Sequence, residues 1–206
     1  YIVTVPIAVL PDRPTENDLS ETFNNLSFVI GKNSAVDGNF YKGSATGLLE
    51  GVSASSVFAD ADSLSVARAP FKKVGDMALL FHSGKTSASA DMTILRSSSL
   101  PYSAGYGHIL EFDVIATGKG GTLTVGRTAV SDKVTIDIDS VSFAGSTLTI
   151  ATKQYHHIVW EITAEGTQNV YADGVLVGTK TGSALTGAGG ISFGMTKASA
   201  VDADFA

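Results

Sequence analysis

Along most of this chain apolar and polar residues alternate with a period of two over runs of five to eight, and each run closes on Gly, Asp or Ser. That period sends successive side chains to opposite faces, as in a strand with one face buried and one wet. In the second half the runs come in pairs. Residues 109–116 (ILEFDVIA) and 122–126 flank Thr117-Gly118-Lys119-Gly120-Gly121, residues 134–143 and 147–151 flank Ala144-Gly145-Ser146, and residues 156–163 and 168–172 flank Ala164-Glu165-Gly166-Thr167. Asp173-Gly174 then turns the chain into residues 175–179. Glycine supplies the positive φ of a tight hairpin, and Asp-Gly between apolar runs is the strongest short hairpin signal. Four hairpins are therefore expected, with a further strand at 191–195. Weaker runs at 26–30, 47–51, 63–67, 77–82 and 92–96 bring the expectation to twelve to fourteen strands. One flat sheet cannot hold so many, which makes the fold class all-β, two packed antiparallel sheets in a β-sandwich of jelly-roll type.

Helical spacing is confined to residues 14–25 (PTENDLSETFNN), where Thr15 and Asn17 can cap and Leu19 and Phe23 share a face; one or two turns are expected there. Pro6 restricts residues 4–10 to a sheet edge, because it donates no ladder hydrogen bond. No boundary or repeat divides the remainder, so residues 1–25 read as an arm or linker and residues 26–206 as one sandwich domain. The apolar opening, YIVTVPIAVL, has no basic leader, is short for a bilayer and contains Pro6, so neither a signal peptide nor a membrane anchor is expected in it. The first residue is Tyr1, and the last six, VDADFA, read as the start of a closing strand; a processed or partial chain is expected.

Charge narrows the partners. Lys and Arg number 14 against 20 Asp and Glu, a net charge of −6, with no basic run, which argues against nucleic acid and anionic membrane. The absence of cysteine excludes disulfides and thiolate metal sites. Only 17% of residues are charged, while Ser and Thr make about a fifth of the chain, a bias that fits an extracellular, cell-surface or virion protein.

Residues 155–179, YHHIVWEITAEGTQNVYADGVLVGT, resemble the signature of concanavalin A-like sandwich modules of the laminin-G and pentraxin type. The likeness lies in an aromatic-His-His-apolar strand (Tyr155, His156, His157, Ile158, Val159), a short turn at Gly166, and Tyr171-Ala172-Asp173-Gly174 leading into an apolar strand. Tyr155 stands where Trp is commoner. The ending Val201-Asp202-Ala203-Asp204-Phe205-Ala206 is similar to the family's closing strand with its Asp pair. The resemblance implies a concanavalin A-like fold and, by itself, no function. Strand alternation places His156, Ile158, Trp160 and Ile162 on one face and Tyr155, His157, Val159 and Glu161 on the other, so the two histidines cannot chelate one metal. His157 is expected to find a backbone or hydroxyl partner, and Asp173-Gly174 to serve the turn.

Five chemistries have candidate residues in the sequence. Glu111-Phe112-Asp113 is similar to the Glu-x-Asp-x-Glu strand of laminarinase-type glucanases, but Ile115 and Ala116 occupy the positions for the third carboxylate. Gly43-Ser44-Ala45-Thr46-Gly47 lacks a strand-to-helix setting for a nucleophile, and Gly118-Lys119-Gly120-Gly121 lacks the helix of a phosphate cradle. Calcium wants six to eight oxygens; the i, i+2 pairs Asp60/Asp62, Asp137/Asp139 and Asp202/Asp204 could offer them, with Asp137 and Asp139 the chosen metal candidates, although a polar outer face is the preferred reading of each pair. No cofactor is expected, calcium being the one that these pairs could hold. The loop at 97–107, SSSLPYSAGYG, carries Tyr102 and Tyr106, whose rings can stack on a sugar and whose hydroxyls can bond it; these are the candidate ligand-binding residues.

The function expected from the sequence is non-catalytic recognition or adhesion, directed at a glycan or cell-surface receptor, within a larger surface or virion assembly. The alternative is a structural virion protein, a fibre, decoration or cement protein that packs against its own copies or other virion proteins. A laminarinase-type glycosidase comes third.

Overall fold

The computed structural model describes residues 29–31, 51–52, 62–73, 76–85, 90–96, 107–127, 130–182, 191–198 and 200–206. The expected arm, the helical turn at 14–25, Asp60, and both Tyr102 and Tyr106 lie outside the described residues.

Fifteen strands and no helix occur among the described residues: β1 (Val29–Gly31), β2 (Gly51–Val52), β3 (Asp62–Arg68), β4 (Met77–Ser83), β5 (Ala90–Arg96), β6 (His108–Val114), β7 (Thr122–Arg127), β8 (Val130–Ile136), β9 (Ser140–Phe143), β10 (Ser146–Thr149), β11 (His156–Ile162), β12 (Gln168–Ala172), β13 (Val175–Lys180), β14 (Ile191–Lys197) and β15 (Ala203–Phe205). All strand pairs are antiparallel. Their orders are β1-β3-β4-β15, β13-β12-β11-β6, and the seven-stranded β10-β9-β8-β7-β14-β5-β2. The two four-stranded sheets join through β15, whose end pairs with the chain just after β6: Ile115 and Ala206 exchange backbone bonds of 2.8 and 3.0 Å, and Ala116 bridges Phe205. The result is two stacked layers, an antiparallel sandwich of jelly-roll, concanavalin A-like type.

The alternation that predicts strands also fills the core. On β11 His156, Ile158, Trp160 and Ile162 are buried while His157 is exposed, as the period requires. Trp160 is 0% exposed and packs against Phe143 of the facing layer, ring centroids 5.8 Å apart. Phe112 of β6 meets Phe193 of β14 edge to face at 5.3 Å.

Three of the four expected hairpins form. The turn at Asp173-Gly174 has φ of 51° and 78°, and that at Ala144-Gly145 has 52° and 83°, the double positive φ of a type I′ turn. The expected hairpin between 109–116 and 122–126 does not form: β6 and β7 lie in opposite layers. The intervening glycines instead let the chain press against the C-terminal strand, with Thr117 N–H donating to the Asp204 carbonyl (3.0 Å) and Lys119 N–H to that of Asp202 (2.7 Å). A Cβ on Gly118 would lie 2.6 Å from the Asp204 nitrogen and 2.8 Å from the Asp202 oxygen, backbone atoms that cannot rotate away. Gly118→Ala is therefore expected to lower stability by about 1–3 kcal/mol and to speed amide exchange at 203–205, read by thermal melting and hydrogen exchange.

The expected single strand at 134–143 is also corrected. It breaks at Asp137-Ile138-Asp139 into β8 and β9, and Asp137 N–H donates to the Ser140 carbonyl at 2.9 Å. Asp and Ser favour such a turn, and Ile138 still packs on the core.

Candidate functional site

The face of β6, β11 and β12 turned away from the core gathers polar groups of several chemistries. Register sets Asp113 opposite His157 and Glu111 opposite Val159, with Tyr171 on the far side of Val159. The His157 Nδ1 to Asp113 Oδ1 distance is 3.0 Å, so the imidazole finds a carboxylate where a backbone or hydroxyl partner was expected. The turn between β3 and β4 folds alongside β6, bringing Lys72 Nζ within 3.5 Å of Asp113 Oδ2 and 4.3 Å of the Tyr155 ring centroid. Lys72 thus joins a cation–π contact to an exposed ion pair. Burial, followed by the charges of Asp113 and Asp76, pushes the Tyr155 hydroxyl above the usual phenol range, and that oxygen is buried without a hydrogen-bond partner. Further along the face, Asn169 donates to Glu161 (3.1 Å) and accepts from the Thr179 hydroxyl (2.9 Å).

At the tip of the same turn Phe71 stands 80% exposed with φ 57°. Left-handed backbone is costly for a bulky aromatic, and the ring repays nothing by burial. The sequence gives no hint of it: Pro70-Phe71-Lys72 reads as an ordinary strand connection.

His156 lies on the opposite side of β11, buried, with Nδ1 2.6 Å from Asp173 Oδ2 and Nε2 2.7 Å from the Ala151 carbonyl. Asp173 also accepts the His157 N–H at 2.9 Å. Its carboxylate therefore ties the turn to β11 in addition to shaping the turn itself.

The glucanase-like pair Glu111 and Asp113 does share the exposed face, whereas Ile115 and Ala116, where a third carboxylate would stand, are buried in the core. Asp137 and Asp139 sit in the β8–β9 turn, so strand alternation does not align them. Thr122 Oγ1 donates to Asp137 at 2.6 Å, and the Asp139 carbonyl accepts the Ile150 N–H at 2.8 Å. Asp204 pairs with His82. Among the described residues no group of three or more His, Asp or Glu side chains gathers as a metal set. For the loop with Tyr102 and Tyr106, the flanking Arg96 and Gly107 are described, and Arg96 is opposite Ile191 in the ladder.

No protein-family model matches the chain, and no curated protein matches it. Similar solved structures include a sialidase (TM-score 0.48, 15% identity, 68% of this chain), of whose length the match spans 13%. A cellulose induced protein, Cip1, is similar at TM-score 0.47 and 12% identity, covering 75% of this chain and 86% of its own. A carbohydrate binding module, CBM66 from Bacillus subtilis, is similar at 0.40 and 16%, covering 68% and 86%.

Proposed function

We propose that this sandwich is a non-catalytic carbohydrate-recognition module of a surface or virion assembly. The observation that carries the reading is Phe71, held in a costly backbone conformation and displayed to solvent on the rim of the face bearing Asp113, His157, Glu111 and Tyr171. A flat apolar ring beside hydroxyl, carboxylate and imidazole groups offers what a pyranose needs: a stacking surface for its C–H face and hydrogen bonds for its hydroxyls. Tyr102 and Tyr106, from the loop at 97–107, are proposed to add to the same recognition. The absence of a third acid beside Glu111 and Asp113 supports binding over cleavage.

Because Phe71 is outside the core, Phe71→Ala is expected to leave the melting temperature unchanged and to weaken glycan binding about tenfold. Titration calorimetry with hits from a glycan array measures this; unaltered affinity in Phe71→Ala and in the Tyr102→Ala/Tyr106→Ala double variant would reject the reading.

A second reading, a structural protein that packs against copies of itself, is favoured by β13. It is an outer strand of its sheet and exposes Val175 (53%) and Leu176 (50%), a surface open to another chain. Sedimentation of the wild type and of Leu176→Lys separates the two: a stable oligomer lost in the variant, with silence on every glycan, supports assembly.

A further inference from the structure

We propose that a bulge in β13 completes an apolar track across the sheet face, and that this track takes an unbranched glycan of about three or more units without acidic groups, running across the strands. The inference deepens the recognition reading above and rests on it. Register places Glu111, Val159, Tyr171 and Leu176 in one row over β6, β11, β12 and β13. The row owes its last member to an irregularity. Val170 pairs with Gly178, but Tyr171 pairs with Leu176, which leaves Val177 as an extra residue in β13. Val177 and Gly178 are consecutive and both buried, and a Cβ on Gly178 would lie 2.8 Å from the Phe143 carbonyl oxygen. Strict alternation from Gly178 would turn Leu176 inward. The bulge inverts the phase and sets Leu176, 50% exposed, beside Tyr171.

The track is one side chain wide. Along one border lie Asp113 and His157; along the other, Glu161, Asn169 and Thr179 stand in register and are joined by hydrogen bonds. Three strand spacings separate Glu111 from Leu176, roughly 14 Å, the length of about three linked pyranoses. Phe71 extends the surface past β6, on the side from which Lys72 reaches Asp113. A protein partner would need a broad patch, on the order of 800 Å² a side. A sugar chain needs a narrow one: its C–H faces lie on Val159, Tyr171 and Leu176 while its edge hydroxyls meet the polar borders. Charge decides which sugars fit. The face sets the carboxylates of Glu111, Asp113 and Glu161 against Lys72 and His157, so a uronate chain would meet like charge, whereas an uncharged or amino sugar would not.

The test is titration calorimetry of the wild type, Phe71→Ala and Leu176→Ser with cello-, laminari-, manno- and chitosan oligosaccharides and with oligogalacturonate, each from monomer to hexamer, alongside sedimentation and melting. At least one of the neutral or amino series is expected to bind, with affinity rising about tenfold or more from monomer to tetramer. Leu176→Ser should weaken its hexamer about fivefold at an unchanged melting temperature, since the side chain is half exposed. Oligogalacturonate should give no heat. A monomer bound as tightly as the hexamer, or a hexamer bound equally by Leu176→Ser and the wild type, would overturn the track and leave the recognition reading to Phe71→Ala. Oligogalacturonate bound as well as the neutral series would overturn the charge assignment. A wild-type oligomer that Leu176→Ser dissolves would make Leu176 a contact between copies and overturn the track as well. Silence of every series would remove the track, and the recognition reading would fall with it only if the glycan array were silent too.

Discussion

Trp160→Ala is expected to destabilise the protein by about 3–5 kcal/mol, the range for removing a large aromatic from a closed core. The side chain is 0% exposed and spans the two layers, ring against Phe143. Truncation opens a void between sheets whose backbones are held apart by their own ladders, so little of it can collapse. It also strips Gln168 of its indole donor and loosens the Gln168–Asp132–Lys180 network across the sandwich. Trp160→Phe should cost less, keeping most of the packing and losing the hydrogen bond. Urea melts followed by far-ultraviolet circular dichroism measure both; a cost below about 1 kcal/mol for Trp160→Ala would show that the layers do not meet there.

Asp173→Ala is expected to cost about 2–4 kcal/mol although the residue is half exposed. It leaves His156 Nδ1 buried without its acceptor and the His157 N–H unpaired, and it forces alanine into a φ of 51°. Asp173→Asn should recover part of the loss, because asparagine tolerates the left-handed region and keeps one acceptor oxygen. Burial acts to raise the Asp173 pKa, but the hydrogen bonds from His156 and His157 and their charges outweigh it, so the carboxyl lies below its usual value. A lowered folded value means that the contribution is complete above the unfolded value, about 3.9, and is lost as pH falls through the folded one. The stability gap between wild type and Asp173→Ala should thus narrow as pH falls below about 4. A gap unchanged at pH 2 would contradict the assigned bonds.

Much of this architecture was legible in the alternation. The β11–β12–β13 run follows from the buried-exposed period and from Asp173-Gly174, since both are local signals. The two misread segments share a cause, partners distant in sequence. Residues 117–121 hold enough glycine for a hairpin, but those glycines serve a close approach to residues 202–204, which local pattern cannot show. The break at 137–139 did leave a trace: the apolar positions run Val134, Ile136, Ile138 and then Val141, Phe143, a change of phase that a single strand cannot carry. The candidate face was half visible. Glu111 and Asp113 were paired by spacing, whereas Lys72, Tyr155 and Phe71 join them only because the β3–β4 turn folds beside β6. The burial of Arg127 was not legible either, because a charged residue at a strand end reads as solvent-facing.

The most direct test of carbohydrate recognition without cleavage is one incubation of the pure protein with a panel of immobilised and soluble glycans, scored for retention and for new reducing ends. The account predicts retention on at least one glycan, reduced about tenfold in affinity by Phe71→Ala, with no new reducing ends. Release of reducing sugar that vanishes in Glu111→Gln would contradict it and make the exposed carboxylate pair catalytic.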